Sequence, residues 1–113
     1  MEKYDLSDVA IAQLQIAKDA PAGRSSATVL GGHASSLRQT VIALVEGQVM
    51  EIENGPHEAT LLVLSGSFDI TTVDEGAEAS SGDLVILPTV PHTITARDDT
   101  TALLTVAKGD YPD

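Results

Sequence analysis

Cysteine and tryptophan are missing from this chain of 113 residues, and only one Phe and two Tyr are present. The missing cysteine excludes disulfide bonds and thiol chemistry. Apolar residues nevertheless make up 42% of the chain, so the core has to be built from Val, Leu, Ile and Ala. This composition favours tightly interleaved aliphatic strands.

Basic residues are also few, with six Lys and Arg against 17 Asp and Glu, and the formal net charge is -11. Such a charge repels phosphate backbones and anionic lipid surfaces. We therefore expect no nucleic-acid partner and no membrane partner. The many acids are interpreted as a solubilising surface.

Long hydrophobic runs are absent as well. Runs such as Leu61 to Leu64 and Leu84 to Leu87 fall far short of the ~20 residues that cross a bilayer. Acidic Glu2, Asp5 and Asp8 stand where a secretory signal would carry bases, so a cytoplasmic protein is expected. No Gly-rich phosphate loop, Gly-x-Ser-x-Gly turn or cysteine pair occurs, which argues against nucleotide hydrolysis, serine hydrolysis and zinc-finger binding.

A single helix is predicted from Asp5 to Asp19. Its apolar residues recur at intervals of three and four and share one face, namely Leu6, Val9, Ala10, Leu14 and Ala17. Asp5 is a suitable N-cap, and Pro21 and Gly23 end the helix. We expect residues 1–25 to form this helix and a linker that pack on a barrel.

From Ala27 onward, short β-prone runs alternate with turn residues at a spacing near ten residues, which is typical of antiparallel strands. We predict strands at Ala27–Leu30, Gln39–Glu46, Val49–Glu53, Thr60–Leu64, Phe68–Val73, Glu78–Ala79, Leu84–Leu87, Thr93–Arg97 and Ala102–Ala107. This pattern favours an all-β jelly roll or sandwich over any βαβ fold. Residues 26–113 are expected to form this one barrel domain.

Spaced glycines frame the middle of the chain, where Gly47 is followed by Glu53, Gly55, Ala59 and Gly66. This spacing resembles the first motif of the cupins, in which the three positions between the outer glycines hold His, His and Glu. Both outer glycines are kept, and all three usual metal ligands are replaced. The resemblance therefore implies the cupin fold, a double-stranded β-helix, with a degenerate metal site.

The second cupin motif is matched in part by Gly82, Pro88 and His92. His92 arrives one residue early and is the one usual ligand retained. Three further strings, 37–44, 58–64 and 103–107, make the chain similar to small uncharacterised bacterial single-domain cupins. That resemblance implies the fold and a homodimer, without a known reaction.

A cupin metal centre takes three or four inward N and O donors around an ion such as Mn, Fe, Ni or Zn. The resemblance leaves His92 and Glu53 as the metal-ligand candidates. Glu51 and His57 join them as candidate cavity residues, with His57 in the turn before Glu58. Since alternate residues face opposite sides of a strand, His92 should point inward together with Ile94.

The strand around Glu53 has two interpretations. Simple hydrophobic patterning turns Met50 and Ile52 inward. The cupin register turns Glu53 inward instead, with Met50 and Ile52 beneath the helix or against a second subunit. In that register Glu53 pairs with His92 or acts as an acid or base.

Three functional hypotheses follow. The first is a non-catalytic or sensory small-molecule-binding cupin with Glu53 and His92 near the mouth of its cavity. The second is a metal-dependent cupin enzyme of the isomerase or dioxygenase type. The third is a dimerisation or regulatory module whose barrel is filled by side chains. A homodimer is expected because Leu62 and Leu64 alternate with Leu61 and Val63, so that neither face of this strand suits water.

Overall fold

One helix precedes nine strands in residues 1–53 and 58–108, the part of the chain that the computed structural model describes. The helix α1 spans Leu6–Asp19. The strands are β1 (Arg24–Leu30), β2 (Leu37–Leu44), β3 (Val49–Ile52), β4 (Ala59–Ser65), β5 (Ser67–Thr71), β6 (Gly76–Ser80), β7 (Leu84–Ile86), β8 (His92–Ala96) and β9 (Thr100–Ala107). Each of these nine strands confirms a predicted one, and no end differs by more than three residues.

The strands form two antiparallel sheets that face each other. The larger sheet has the order β1-β2-β9-β4-β7, and the smaller has the order β3-β8-β5-β6. The chain passes repeatedly between the two sheets, as in a jelly roll. The predicted all-β fold class is therefore confirmed.

Aliphatic side chains from both sheets fill the space between them. The largest fully buried ones include Phe68, Leu61, Ile94 and Val63. Because β-strand side chains alternate, Leu61 and Val63 lie in the core while Leu62 and Leu64 lie on the outer face of the larger sheet.

Helix α1 covers part of that outer face. It packs against β1, β2 and β9, and it buries Val41 and Ala43 of β2 completely. β2 is therefore buried on both faces, since Ile42 and Leu44 belong to the core between the sheets. Helix α1 thus packs on the larger sheet.

The ends of the helix follow from local chemistry. The carboxylate of Asp5 accepts a hydrogen bond from the backbone N–H of Asp8 at 3.2 Å, which satisfies one of the free N–H groups of the first turn. The helix ends at Asp19, two residues before Pro21. Among the described residues, no helix has the length and apolar character needed to span a membrane.

Candidate functional site

His92 is the first residue of β8 and points into the space between the sheets. It alternates with the half-buried Thr93, and it shares the inner face with the fully buried Ile94. Only 4% of His92 is exposed. On the neighbouring strand β3 its partner is Ile52. The inward orientation predicted for His92 is confirmed.

The His92 ring makes one hydrogen bond and leaves one nitrogen unused. Its Nδ1 lies 2.9 Å from the backbone carbonyl oxygen of Val90. A carbonyl oxygen can only accept, so Nδ1 carries the proton and, in the neutral ring, Nε2 keeps its lone pair. Nε2 is buried and has no hydrogen-bond partner among the described residues. Buried polar atoms are normally satisfied, so this nitrogen marks a candidate binding point.

A cavity of about 360 Å³ lies beside this histidine. Its walls come from the end of β3, the start of β8 and the turn that follows β5. Three of the four predicted site residues, Glu51, Glu53 and His92, line it together. His57, the fourth, lies outside the described residues.

The expectation that Glu53 lines the barrel interior is wrong. Met50 and Ile52 pack against the core, whereas Glu51 and Glu53 are exposed. The pairing of β3 with β8 explains this result, because Ile52 lies opposite His92 and Glu51 lies opposite Thr93. Hydrophobic patterning thus decides the orientation of β3, and the two carboxylates border the cavity from its outer side. Met50 and Ile52 are likewise not beneath the helix.

The described residues offer a metal ion too few donors. No group of three or more His, Asp or Glu side chains that could hold a metal occurs in residues 1–53 and 58–108. His92 alone fits, because a ligating imidazole usually donates its other N–H to a carbonyl or carboxylate. A transition-metal site normally needs three or four protein donors, and the exposed outer-face carboxylates do not complete that set.

Six residues that line the cavity are not among the predicted site residues, and three of them, Thr71, Thr72 and Val73, come from the end of β5 and the turn after it. They reach the site because β5 pairs with β8, with Thr71 directly opposite Thr93. No sequence pattern within a single strand predicts that β5 pairs with β8. Among the described residues, the side chains lining the cavity include two carboxylates and no Lys or Arg, which disfavours anions and favours neutral or cationic molecules.

Comparisons with known proteins agree with this architecture. No protein-family model and no curated protein matches the chain. A conserved protein of unknown function from Streptococcus pyogenes is similar in structure, with 28% identity, a TM-score of 0.67, and 78% of this chain and 76% of that chain covered. A cupin superfamily protein from Desulfitobacterium hafniense has a TM-score of 0.67 at 17% identity, with 76% and 78% covered.

A much longer enzyme contains the same fold. Salicylate 1,2-dioxygenase from Pseudaminobacter salicylatoxidans has a TM-score of 0.74 at 17% identity, and the match covers 94% of this chain but only 34% of the dioxygenase. Identity at this level shows the fold alone. The chain therefore has the cupin fold. Among the cupins, it is similar to small chains of its own length.

Proposed function

We propose that this chain is a small-molecule-binding cupin of the non-catalytic or sensory kind, which holds its ligand beside His92. The proposal is supported chiefly by the buried Nε2 of His92, which has no partner among the described residues. A buried polar atom without a hydrogen bond costs about 1–3 kcal/mol of stability. A ligand that donates an N–H or O–H to this nitrogen would recover that cost.

The chemistry of the cavity narrows the class of ligand. Glu51 and Glu53 border it on the outer side, and Thr71 and Thr93 add hydroxyl groups. The expected ligand is a small neutral or cationic molecule with a hydrogen-bond donor, such as an amine or an amide. Because Nε2 is itself covered, binding requires the side chains around it to move.

The two other hypotheses predict different behaviour. A metal-dependent isomerase or dioxygenase needs donors that the described residues do not bring together. A purely structural module is favoured by the filled core, whereas the binding proposal requires the buried Nε2 of His92 to become accessible from the cavity that Glu51, Thr71 and Thr93 line. Both alternatives are separated from our proposal by the following experiment.

We expect His92→Leu to abolish ligand binding and to raise the free energy of unfolding by about 1 kcal/mol, because it removes a buried nitrogen without a partner. A thermal-shift screen would use small amines, amides, alcohols and acids, and separately Mn, Fe, Ni and Zn salts with and without EDTA. At a concentration 100 times its Kd, a true ligand stabilises the wild type by about 2.7 kcal/mol. His33→Leu, which removes an exposed imidazole, is the matched control and should keep the shift.

The outcomes separate the hypotheses. Shifts that disappear only in His92→Leu support the binding proposal. A stoichiometric transition metal that EDTA removes and His92→Leu abolishes would instead favour the enzyme. Ligand shifts that persist in His92→Leu, or a screen without any hit, would contradict the proposed site.

We also propose that the chain forms a homodimer through the outer face of its larger sheet. This outer apolar face consists of outward side chains of β9, β4 and β7, namely Leu62, Leu64, Leu84, Ile86 and Leu103. Leu84 and Ile86 are 61% and 79% exposed. No charged residue stands at the outward positions of these three strands, which otherwise carry Thr and Ala.

The smaller sheet provides the contrast within the same molecule. Its outer face carries Glu51, Asp69, Glu78 and Arg97, and Arg97 forms ion pairs with Asp69 and Glu78. The charged side chains of that face favour contact with solvent. A chain with a net charge of -11 repels a second copy of itself wherever acids meet, so the charge-free outer apolar face is the surface on which two copies fit best. A two-fold contact would place the same patch on both subunits.

A further inference from the structure

A second cavity lies on the side of the barrel, where the edges of the two sheets meet. β1 is one edge strand of the larger sheet, and β3 is one edge strand of the smaller sheet. The cavity between them has a volume of about 340 Å³. This seam cavity is lined by Arg24, Ser25, Ser26, Ile42, Leu44 and Met50. It shares no lining residue with the cavity beside His92.

The register of β1 and β2 makes the seam cavity amphipathic. Arg24 lies opposite Leu44, and Ser26 lies opposite Ile42, so all four side chains are on the inner face of the sheet. Ile42 and Leu44 are buried and form an apolar floor together with Met50. Arg24 and Ser26 are exposed and form the polar edge.

The guanidinium of Arg24 makes few hydrogen bonds within the described part of the chain. Its one hydrogen bond among the described residues goes to the backbone carbonyl of Val49 across the seam, at 3.4 Å. An arginine has five N–H donors in a planar fork that matches a carboxylate. Among the residues that the structure describes, Arg97 and Lys18 each pair with carboxylates. No carboxylate of these residues lies within 4.0 Å of the Arg24 guanidinium. In a chain with 17 acids, this cation is left available to an external anion.

We propose that the seam cavity binds a small carboxylate with a short aliphatic body. The carboxylate would accept hydrogen bonds from the guanidinium of Arg24 and the hydroxyl of Ser26. The aliphatic part would pack on Ile42, Leu44 and Met50. The ligand class is opposite in charge to that of the cavity beside His92. The seam cavity is thus a separate binding site, and its test does not depend on whether the site at His92 binds a ligand.

The test is a titration of the full chain with hexanoate, followed by ¹⁵N–¹H correlation NMR. Hexanoate should shift the amide signals of Ser25, Ser26 and Met50 in a saturable way and leave that of His92 unchanged. Hexan-1-ol has a comparable aliphatic body without the charge, and it should bind at least tenfold more weakly. Arg24→Gln should weaken hexanoate binding by about tenfold or more, as expected for the loss of a charge-assisted contact.

Three further variants serve as controls for this test. Arg97→Gln removes an arginine elsewhere and should bind hexanoate like the wild type. Ser26→Asp places a carboxylate beside Arg24 and should block binding while the surface position itself tolerates the change. His92→Leu should leave hexanoate binding unchanged, which separates this proposal from the proposed function.

Several results would overturn the proposal. One is equal affinity of hexanoate for the wild type and Arg24→Gln. Another is a set of shifts on the outer apolar face around Leu62 and Leu84 in place of the seam. A third is a change in the β1 signals with protein concentration alone, with no response to hexanoate, which would show that a strand of a second copy occupies the seam.

Discussion

Replacing Gly66 by alanine should lower the free energy of unfolding by about 3 kcal/mol or more. Gly66 is the single residue between β4 and β5, where the chain passes from the larger sheet to the smaller. Its φ of +81° is left-handed, a conformation that costs an ordinary residue roughly 1–2 kcal/mol. A Cβ here would also overlap the carbonyl oxygen of Asp99 and lie 2.6 Å from Oγ1 of Thr100.

These neighbours of Gly66 have little freedom to move. The Thr100 hydroxyl is held by the backbone of Ser67, from which it accepts a hydrogen bond at 3.1 Å and to which it donates one at 2.8 Å. Overpacking of this kind adds roughly 1–3 kcal/mol to the conformational cost.

Gly82→Ala is the matched control for Gly66→Ala. Gly82 has a similar φ of +91°, but nothing lies within 4 Å of the added Cβ. Urea denaturation should therefore give a loss of only about 1–2 kcal/mol for Gly82→Ala. Equal losses in the two variants would contradict the close contact at Gly66.

If the chain forms the proposed homodimer, replacing Ile86 by glutamate should raise the dimer Kd at least a hundredfold and leave a monomer at micromolar concentration. In a two-fold interface the new carboxylates would come close together in an apolar contact, and like charges there cost several kcal/mol. Ile86 is 79% exposed, so the substitution should leave the fold of each subunit intact. Sedimentation equilibrium from low to high micromolar protein measures the mass, which should fall from twice 11.7 kDa to 11.7 kDa.

Val73→Glu makes the same chemical change at a β-branched apolar residue that is 97% exposed and lies away from the outer apolar face, in the turn after β5. It should remain dimeric. A wild-type chain that is monomeric at high micromolar concentration, or an Ile86→Glu variant that dimerises like the wild type, would rule out this interface.

Local patterns in the sequence were sufficient to predict most of the fold. Period-2 alternation gave the inward orientation of His92, and the three- and four-residue spacing of apolar residues gave α1 with its cap at Asp5. These features depend on neighbours in sequence. The order of the strands and the helix-covered face of β2 depend on contacts between distant segments, and the sequence contains no local signal for them.

In the candidate site, too, some features follow from the local sequence and others from contacts between distant strands. The spacing of Gly47 and Gly66 correctly indicated the fold, and both residues have positive φ. That spacing also suggested an inward Glu53, which was wrong because the apolar Met50 and Ile52 gain more from burial than a carboxylate does. Thr71 entered the site through the pairing of β5 with β8, which no single-strand pattern predicts.

Long-range ¹⁵N–¹H correlation NMR of the imidazole tests directly whether Nε2 of His92 is a free acceptor when no ligand is added. For the neutral ring we expect a protonated Nδ1, bonded to the carbonyl of Val90, and an unprotonated Nε2. A proton on Nε2 instead would be incompatible with the hydrogen bond from Nδ1 to Val90, and it would contradict the proposed binding point.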